Sequence, residues 1–301
     1  MPLEPLPRLL ASARAERYAV GYFEAWDGYS LEAVVEAAEA EHAPVVIGFG
    51  CLLADQGWLD RGGIEALGAL GRSVAERTTV PVSLLLNETH TLAQAMRGIE
   101  SGFNAVMMAT STRDPAQAVL EVAELARFAH DRGAAVEGEL GSLPTAGEDG
   151  IAATAASLTD PEEAAAFGAA TGVDCLAVSF GNVHLLEGQS ATVDLDRLAA
   201  IHRRVEVPLA VHGGTGFPPE AVQAAVAQGV AKFNIGTVLK RCFLDGLVAA
   251  VGAIPPTLDA AGVHDSLGSR LPRDVLVQAR ARIVPVVREL IGLYGGSGRA
   301  T

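Results

Sequence analysis

Eight short apolar runs rich in β-branched residues, alternating with Ala- and Glu-rich stretches of helical spacing over 301 residues, predict an α/β chain folded as a (β/α)8 TIM barrel. The runs cover 18–23, 44–49, 81–86, 105–108, 135–140, 175–180, 208–211 and 233–235. Runs this short and apolar read as buried strands. Helical spacing shows between them, as in Leu31, Val34, Val35 and Ala38, and again in Val119, Val122, Leu125 and Ala126. Helix ends are legible at Asp160, an N-cap followed by Pro161 and Glu163, with Gly172 closing the same helix. Each right-handed crossover advances a parallel sheet by one strand, so eight strands close on themselves. An open doubly wound sheet is the alternative, although no GxGxxG follows the first run as a dinucleotide site requires.

The whole chain, 1–301, is expected to form one domain, with a helical extension from about 272 to 293. Two stretches exceed the usual loop length. The first, 141–159, is rich in Gly, Ala, Ser and Thr and reads either as a lid over the site or as a plain surface loop. The second, 252–271, is irregular and carries Pro255 and Pro256.

A net charge of −14 argues against a nucleic-acid partner, which requires a surplus of Lys and Arg on one face. A small metabolite is expected instead. No run reaches the ~18 apolar residues of a membrane helix, and Arg and Glu interrupt the N-terminal stretch, so no membrane association and a cytoplasmic location are expected. Cys51, Cys175 and Cys242 are far apart and lack CxxC spacing, as expected of free buried thiols. Lys232 and Lys240 are the only lysines, which limits a Schiff-base mechanism: the first is expected at the wrong barrel end, the second in a helix past the last turn.

Barrel chemistry sits at the carboxyl ends of the strands. In chain order, the polar residues there are Glu24, Asn87 and Glu88, Glu139, His184 and His212. Two imidazoles plus a carboxylate form an ordinary donor set for a catalytic divalent metal with an open position; taken singly, each histidine reads equally well as structural. The seventh strand runs into His212-Gly213-Gly214-Thr215-Gly216, the eighth into Asn234-Ile235-Gly236-Thr237. Small turns at these two positions bring backbone N–H groups and hydroxyls toward an anion, so a phosphorylated ligand is expected, although turns use glycine for their own reasons.

VEGELG at 136–141, TGVDCLAVSFGNVH at 171–184, LAVHGGTG at 209–216, KFNIGT at 232–237 and the final LYGGSGRA resemble the class II fructose- and tagatose-bisphosphate aldolases over nearly the whole chain. The resemblance implies a zinc-dependent barrel that is generally a homodimer or homotetramer. His184 and His212 match two zinc ligands, and Glu139 matches a carboxylate near the metal. Gly213, Thr215, Asn234 and Thr237 match holders of the substrate phosphate and nearby hydroxyls, with Gly214 and Gly236 in the same turns. Glu148 resembles the proton-shuttling glutamate of the lid.

The departures lie on one side of the site. Where the family has Asp-His after the third strand, this chain has Asn87-Glu88, and the spacing to Gly102 leaves no room for a shift. Asn87 stands at the position of the base, and an amide takes no proton near neutral pH. Glu88 is expected to serve either as third metal ligand or as a displaced base. The mixed donor set admits manganese, iron or cobalt besides zinc. Ala109 stands where the family usually has an aspartate, Glu24 replaces an asparagine, and Leu185 replaces a glycine. A metal-dependent carbon–carbon lyase acting on a phosphorylated ketose is the expected function. The alternatives are a sugar-phosphate isomerase or epimerase on the same scaffold and a non-catalytic phosphometabolite-binding protein.

Overall fold

The computed structural model describes residues 3–140, 143–146 and 158–300. Strands Val20–Ala25 (β1), Val45–Gly50 (β2), Val82–Thr89 (β3), Ala105–Met108 (β4), Ala135–Glu139 (β5), Cys175–Ala177 (β6), Leu209–Val211 (β7) and Val230–Ile235 (β8) pair in parallel, each with the next. Closure comes from β8 on β1, with Val20 opposite Lys232 and Tyr22 opposite Asn234. That pairing excludes an open sheet. Strand ends differ from those expected: β1 starts and stops later and contains Glu24, β3 continues through Asn87 and Glu88, and β8 begins before Lys232. Ladder hydrogen bonds use the backbone, so polar residues prolong a strand that hydropathy alone would stop.

The helix Leu6–Glu16 presents Leu6, Leu10 and Ala13 to the barrel interior, where they meet Val20, Tyr22, Val46, Leu85 and Met107. It closes the amino end of the barrel. A second apolar layer lies between strands and outer helices, where residues such as Phe23, Ile47, Leu84 and Val136 face the helices. In the helix Pro161–Thr171 the Asp160 carboxylate accepts from the amides of Glu162 and Glu163 at 2.8 and 3.1 Å, and Gly172 ends it at φ +69°. Both signals were legible in the sequence.

The expected last helix is two, Val275–Arg280 and Ile283–Leu293. Pro285 has no N–H to give to a continuing helix and is accommodated in the first turn of the second one. Ile283, Val287 and Ile291 pack this helix against Gly28–Ala40, and Tyr294 stacks on Phe233 with ring centroids 4.6 Å apart. The stretch 252–271 contains a helix, Ala260–Ser266. Among the described residues no helix is long and apolar enough to cross a membrane. Most of the expected lid, with Glu148, lies outside the described residues.

Candidate metal centre

Side chains two apart along a strand share a face. On β5 this places Ala135, Glu137 and Glu139 inside the barrel; on β8 it places Lys232 and Asn234 there; and His212 follows Ala210 at the end of β7. Alternation alone would send Asn87 and Glu88 of β3 to opposite faces. The β3–β4 ladder breaks at this point, since Leu86 faces Val106 and Thr89 faces Met108. One surplus residue in β3 is a β-bulge, a device that re-aims a side chain. Glu88 itself has φ +55°, a left-handed conformation that costs a non-glycine residue about 1–2 kcal/mol. In consequence both Asn87 and Glu88 line the cavity at the barrel mouth.

Glu88, His184 and His212 each offer one donor atom, all within 4.8 Å of one another. Glu88 Oε1 lies 3.5 Å from His212 Nδ1 and 3.9 Å from His184 Nε2, and the two rings meet edge to face with centroids 5.7 Å apart. His184 is fixed through its backbone: its N–H donates to the Pro144 carbonyl and its carbonyl accepts from Ala146 N–H, both at 2.8 Å. A buried imidazole nitrogen with no hydrogen-bond partner, His212 Nδ1, points among these donors. That is what a metal site looks like in its chain's own terms, and small adjustments bring the donors to the ~3–3.5 Å separation of ligands held about 2.1 Å from one ion. Glu139 Oε1, also buried without a partner, is 3.8 Å from His212 Nδ1 but does not join the set of three.

Below the ring, His212 Nε2 is 2.8 Å from Glu137 Oε1, and Glu137 Oε2 is 2.7 Å from Lys232 Nζ. An ionised carboxylate only accepts, so Nε2 carries the hydrogen and Nδ1 is left to face the cavity. Lys232 also donates to Asn234 Oδ1, which fixes that amide with its Nδ2 2.8 Å from the same ring nitrogen. Lys232 and Glu137 have fully buried side chains. The expectation for Lys232 is corrected: it sits within β8, underneath the site, bonded to the group that orients His212, and it does not line the cavity. The signal was present in the sequence as two acids two apart in VEGE and a lysine and an asparagine two apart in KFN.

Charge follows this geometry. Burial raises Glu137, but the Lys232 ammonium and the His212 hydrogen bond outweigh it and hold the carboxyl at about 2. Burial opposes a charged His212, yet the hydrogen bond to Glu137 and the close carboxylates of Glu88 and Glu139 raise it to about 10. For His184, burial and the neighbouring His212 charge win over Glu88, and its pKa falls to about 4. Glu139, buried and only partly compensated by His212, is pushed up to about 7. Glu88 feels burial first, but His212 and His184 lower it overall.

The other side of the cavity is made of small turns. Gly213 has φ +70°, and a Cβ there would fall 2.2 Å from the Val183 carbonyl oxygen, so only glycine lets the chain pass. Gly214 is packed behind it against Asn234 and Ile235. Thr215, Asn234, Gly236 and Thr237 line the cavity, and the helix Thr237–Gly252 starts there, with the Val238 N–H donating to Thr215 Oγ1 at 3.3 Å. Amides and threonine hydroxyls gathered at a helix start suit an anion cradle. Glu24 reaches the same wall and is ion-paired with Lys240 of that helix, a role for Lys240 that the sequence did not reveal. His90 stands apart from the three donors, its Nε2 3.0 Å from the Leu52 carbonyl.

Comparison with known proteins agrees with this architecture. The chain is similar to the YdjI aldolase from Escherichia coli K12, with a TM-score of 0.81 and 26% identity over 100% of both chains. It shares its fold with the fructose-bisphosphate aldolase from Campylobacter jejuni, with a TM-score of 0.77 and 20% identity over 98% of this chain and 96% of that one. The family model of class-II fructose-bisphosphate aldolases matches residues 4–299, and on that match the chain belongs to this family of metal-dependent, aldolase-type lyases.

Proposed function

We propose that the chain breaks and forms a carbon–carbon bond in a phosphorylated ketose, using one divalent ion held by Glu88, His184 and His212. The observation that carries this reading is their convergence within 4.8 Å in the cavity that also contains the glycine and threonine cradle. A phosphate anchored in the cradle directs the rest of the substrate toward the three donors. When bound, the metal supplies Lewis-acid polarisation of the substrate carbonyl. Two imidazoles and one carboxylate suit zinc first, and manganese, iron and cobalt as well.

The protein groups divide the remaining work. Glu137 and Lys232 hold the His212 ring so that Nδ1 faces the ion. Asn87, whose buried Oδ1 has no hydrogen-bond partner, orients a substrate hydroxyl but cannot take its proton. Glu139, buried 3.8 Å from His212 Nδ1 with its carboxyl pushed up to about 7, backs that ring from below the cavity. Glu148 remains the proposed proton shuttle, on the resemblance alone. By the same likeness the protein works as a homodimer or homotetramer; the chain's length supports a single domain, and its lack of a long apolar run supports a place in the cytoplasm. A second reading, enolisation without cleavage in an isomerase or epimerase, is favoured by one observation, the amide at position 87.

The test is metal analysis of the purified protein, followed by a screen of ketose phosphates for fragment release with and without chelator. Release that chelator abolishes and zinc restores supports cleavage. Interconversion without fragments supports the isomerase, and binding without turnover supports a non-catalytic protein.

A further inference from the structure

We infer that the substrate carries a single phosphate and that its end remote from the cradle is uncharged and partly apolar; this rests on the reading that the cradle holds a phosphate. The cavity, about 420 Å³, lies within the range of small-molecule sites and has two unlike walls. One is the cradle. The other is built by Trp26, Phe49, Leu52, Leu53, Trp58 and Leu67, from the exits of β1 and β2. Leu53 is 77% exposed, Leu52 40% and Trp58 45%, so large apolar faces stand open where a loop surface is ordinarily polar. Scattered exposed leucines need no account, whereas a cluster continuous with a binding cavity marks what binds there.

Charge excludes a second phosphate at this wall. Among the described residues that line the cavity, Lys240 is the sole lysine or arginine; it lies on the cradle side, already paired with Glu24. Arg61, just beyond Trp58, does not line the cavity, and Arg113 is engaged by Glu121 at 2.6 Å. A phosphate against Trp26, Leu52 and Trp58 would give up hydration for two indole N–H groups and no cation. An alkyl or other uncharged substituent gains from the same surface. Cleavage of such a substrate breaks one carbon–carbon bond: the phosphorylated keto fragment keeps the electron pair and takes up a proton. The other fragment leaves as an uncharged aldehyde when its hydroxyl gives up a proton.

The experiment compares kcat/KM of the zinc-loaded full chain for a ketose 1-phosphate with an unphosphorylated, alkyl-terminated tail and for a ketose bisphosphate of equal chain length, in wild type and in Leu52→Arg and Trp58→Arg. The wild type is expected to prefer the monophosphate at least about tenfold, as loss of apolar contact in a pocket produces, and each variant to narrow or reverse that ratio. Calorimetry with inorganic phosphate is expected to show the cradle site at unchanged affinity in all three proteins, with any added site in the variants belonging to the new arginine. Equal or better use of the bisphosphate by wild type overturns the inference while leaving the functional reading intact. Absence of phosphate binding and of cleavage overturns both. Variants that change the oligomeric state with unchanged selectivity assign the apolar wall to a second copy of the chain and overturn the inference.

Discussion

Glu88 Oε1 stands 3.5 Å from His212 Nδ1 although alternation along β3 would turn one of the neighbours Asn87 and Glu88 away from the barrel. A β-bulge and a left-handed backbone at Glu88 bring this about. Strain that persists at a site mouth is retained for function, and here it delivers a carboxylate to two imidazoles.

Glu88→Gln therefore lowers metal affinity by more than the ~10–100-fold typical of an outer partner of a metal site. Competition with a chromophoric chelator measures it. Full metal content with activity lost would instead identify Glu88 as the base.

Metal uptake should release a proton from His212. Its raised pKa, about 10, means that the metal-free ring is charged below that pH, and a ligand nitrogen must shed its proton. Apparent affinity thus rises about tenfold per pH unit as pH increases from 7 toward 10 and flattens above it. His184, lowered to about 4, is already neutral and adds no proton. Calorimetry in buffers of different ionisation enthalpy counts the protons; a pH-independent affinity contradicts the assignment.

Lys232→Met takes away one of the two cations facing buried Glu137 and leaves only the His212 ring, at a cost of about 3–5 kcal/mol. Urea midpoints at pH 7 measure it. Glu137 is lowered from 4.5 to about 2, so its contribution is fully present above pH 4.5 and is lost as pH falls through 2; the gap between variant and wild type should shrink in that acid window. Borohydride with ketose phosphates should trap no adduct on either lysine.

Asn87→Asp restores a proton acceptor at the cavity wall. Cleavage of a ketose phosphate should accelerate by about 10²-fold or more, the usual worth of a positioned base. An unchanged or lower kcat would show that proton transfer is handled elsewhere.

The barrel was legible because buried strands leave apolar runs of a recognisable length, and Asp160 and Gly172 mark a helix by their backbone chemistry. His184, His212 and the two glycine turns were legible because they follow strands. Glu88 was placed at the site by its position after the third strand, but the left-handed backbone that aims it was not legible, since no residue type announces a left-handed glutamate. Nor was the ion pair of Lys232, because the start of β8 is hidden by its polar residues; once the strand is known, the two-residue spacing of Glu137 with Glu139 and of Lys232 with Asn234 explains the interior network.

Diffraction from zinc-soaked crystals, collected on both sides of the zinc absorption edge, tests the central claim most directly. The account predicts one anomalous peak per chain at bonding distance from Glu88, His184 and His212, with the His212 ring bound through Nδ1. A fully occupied peak elsewhere, or one at this site bound without Glu88, would contradict it.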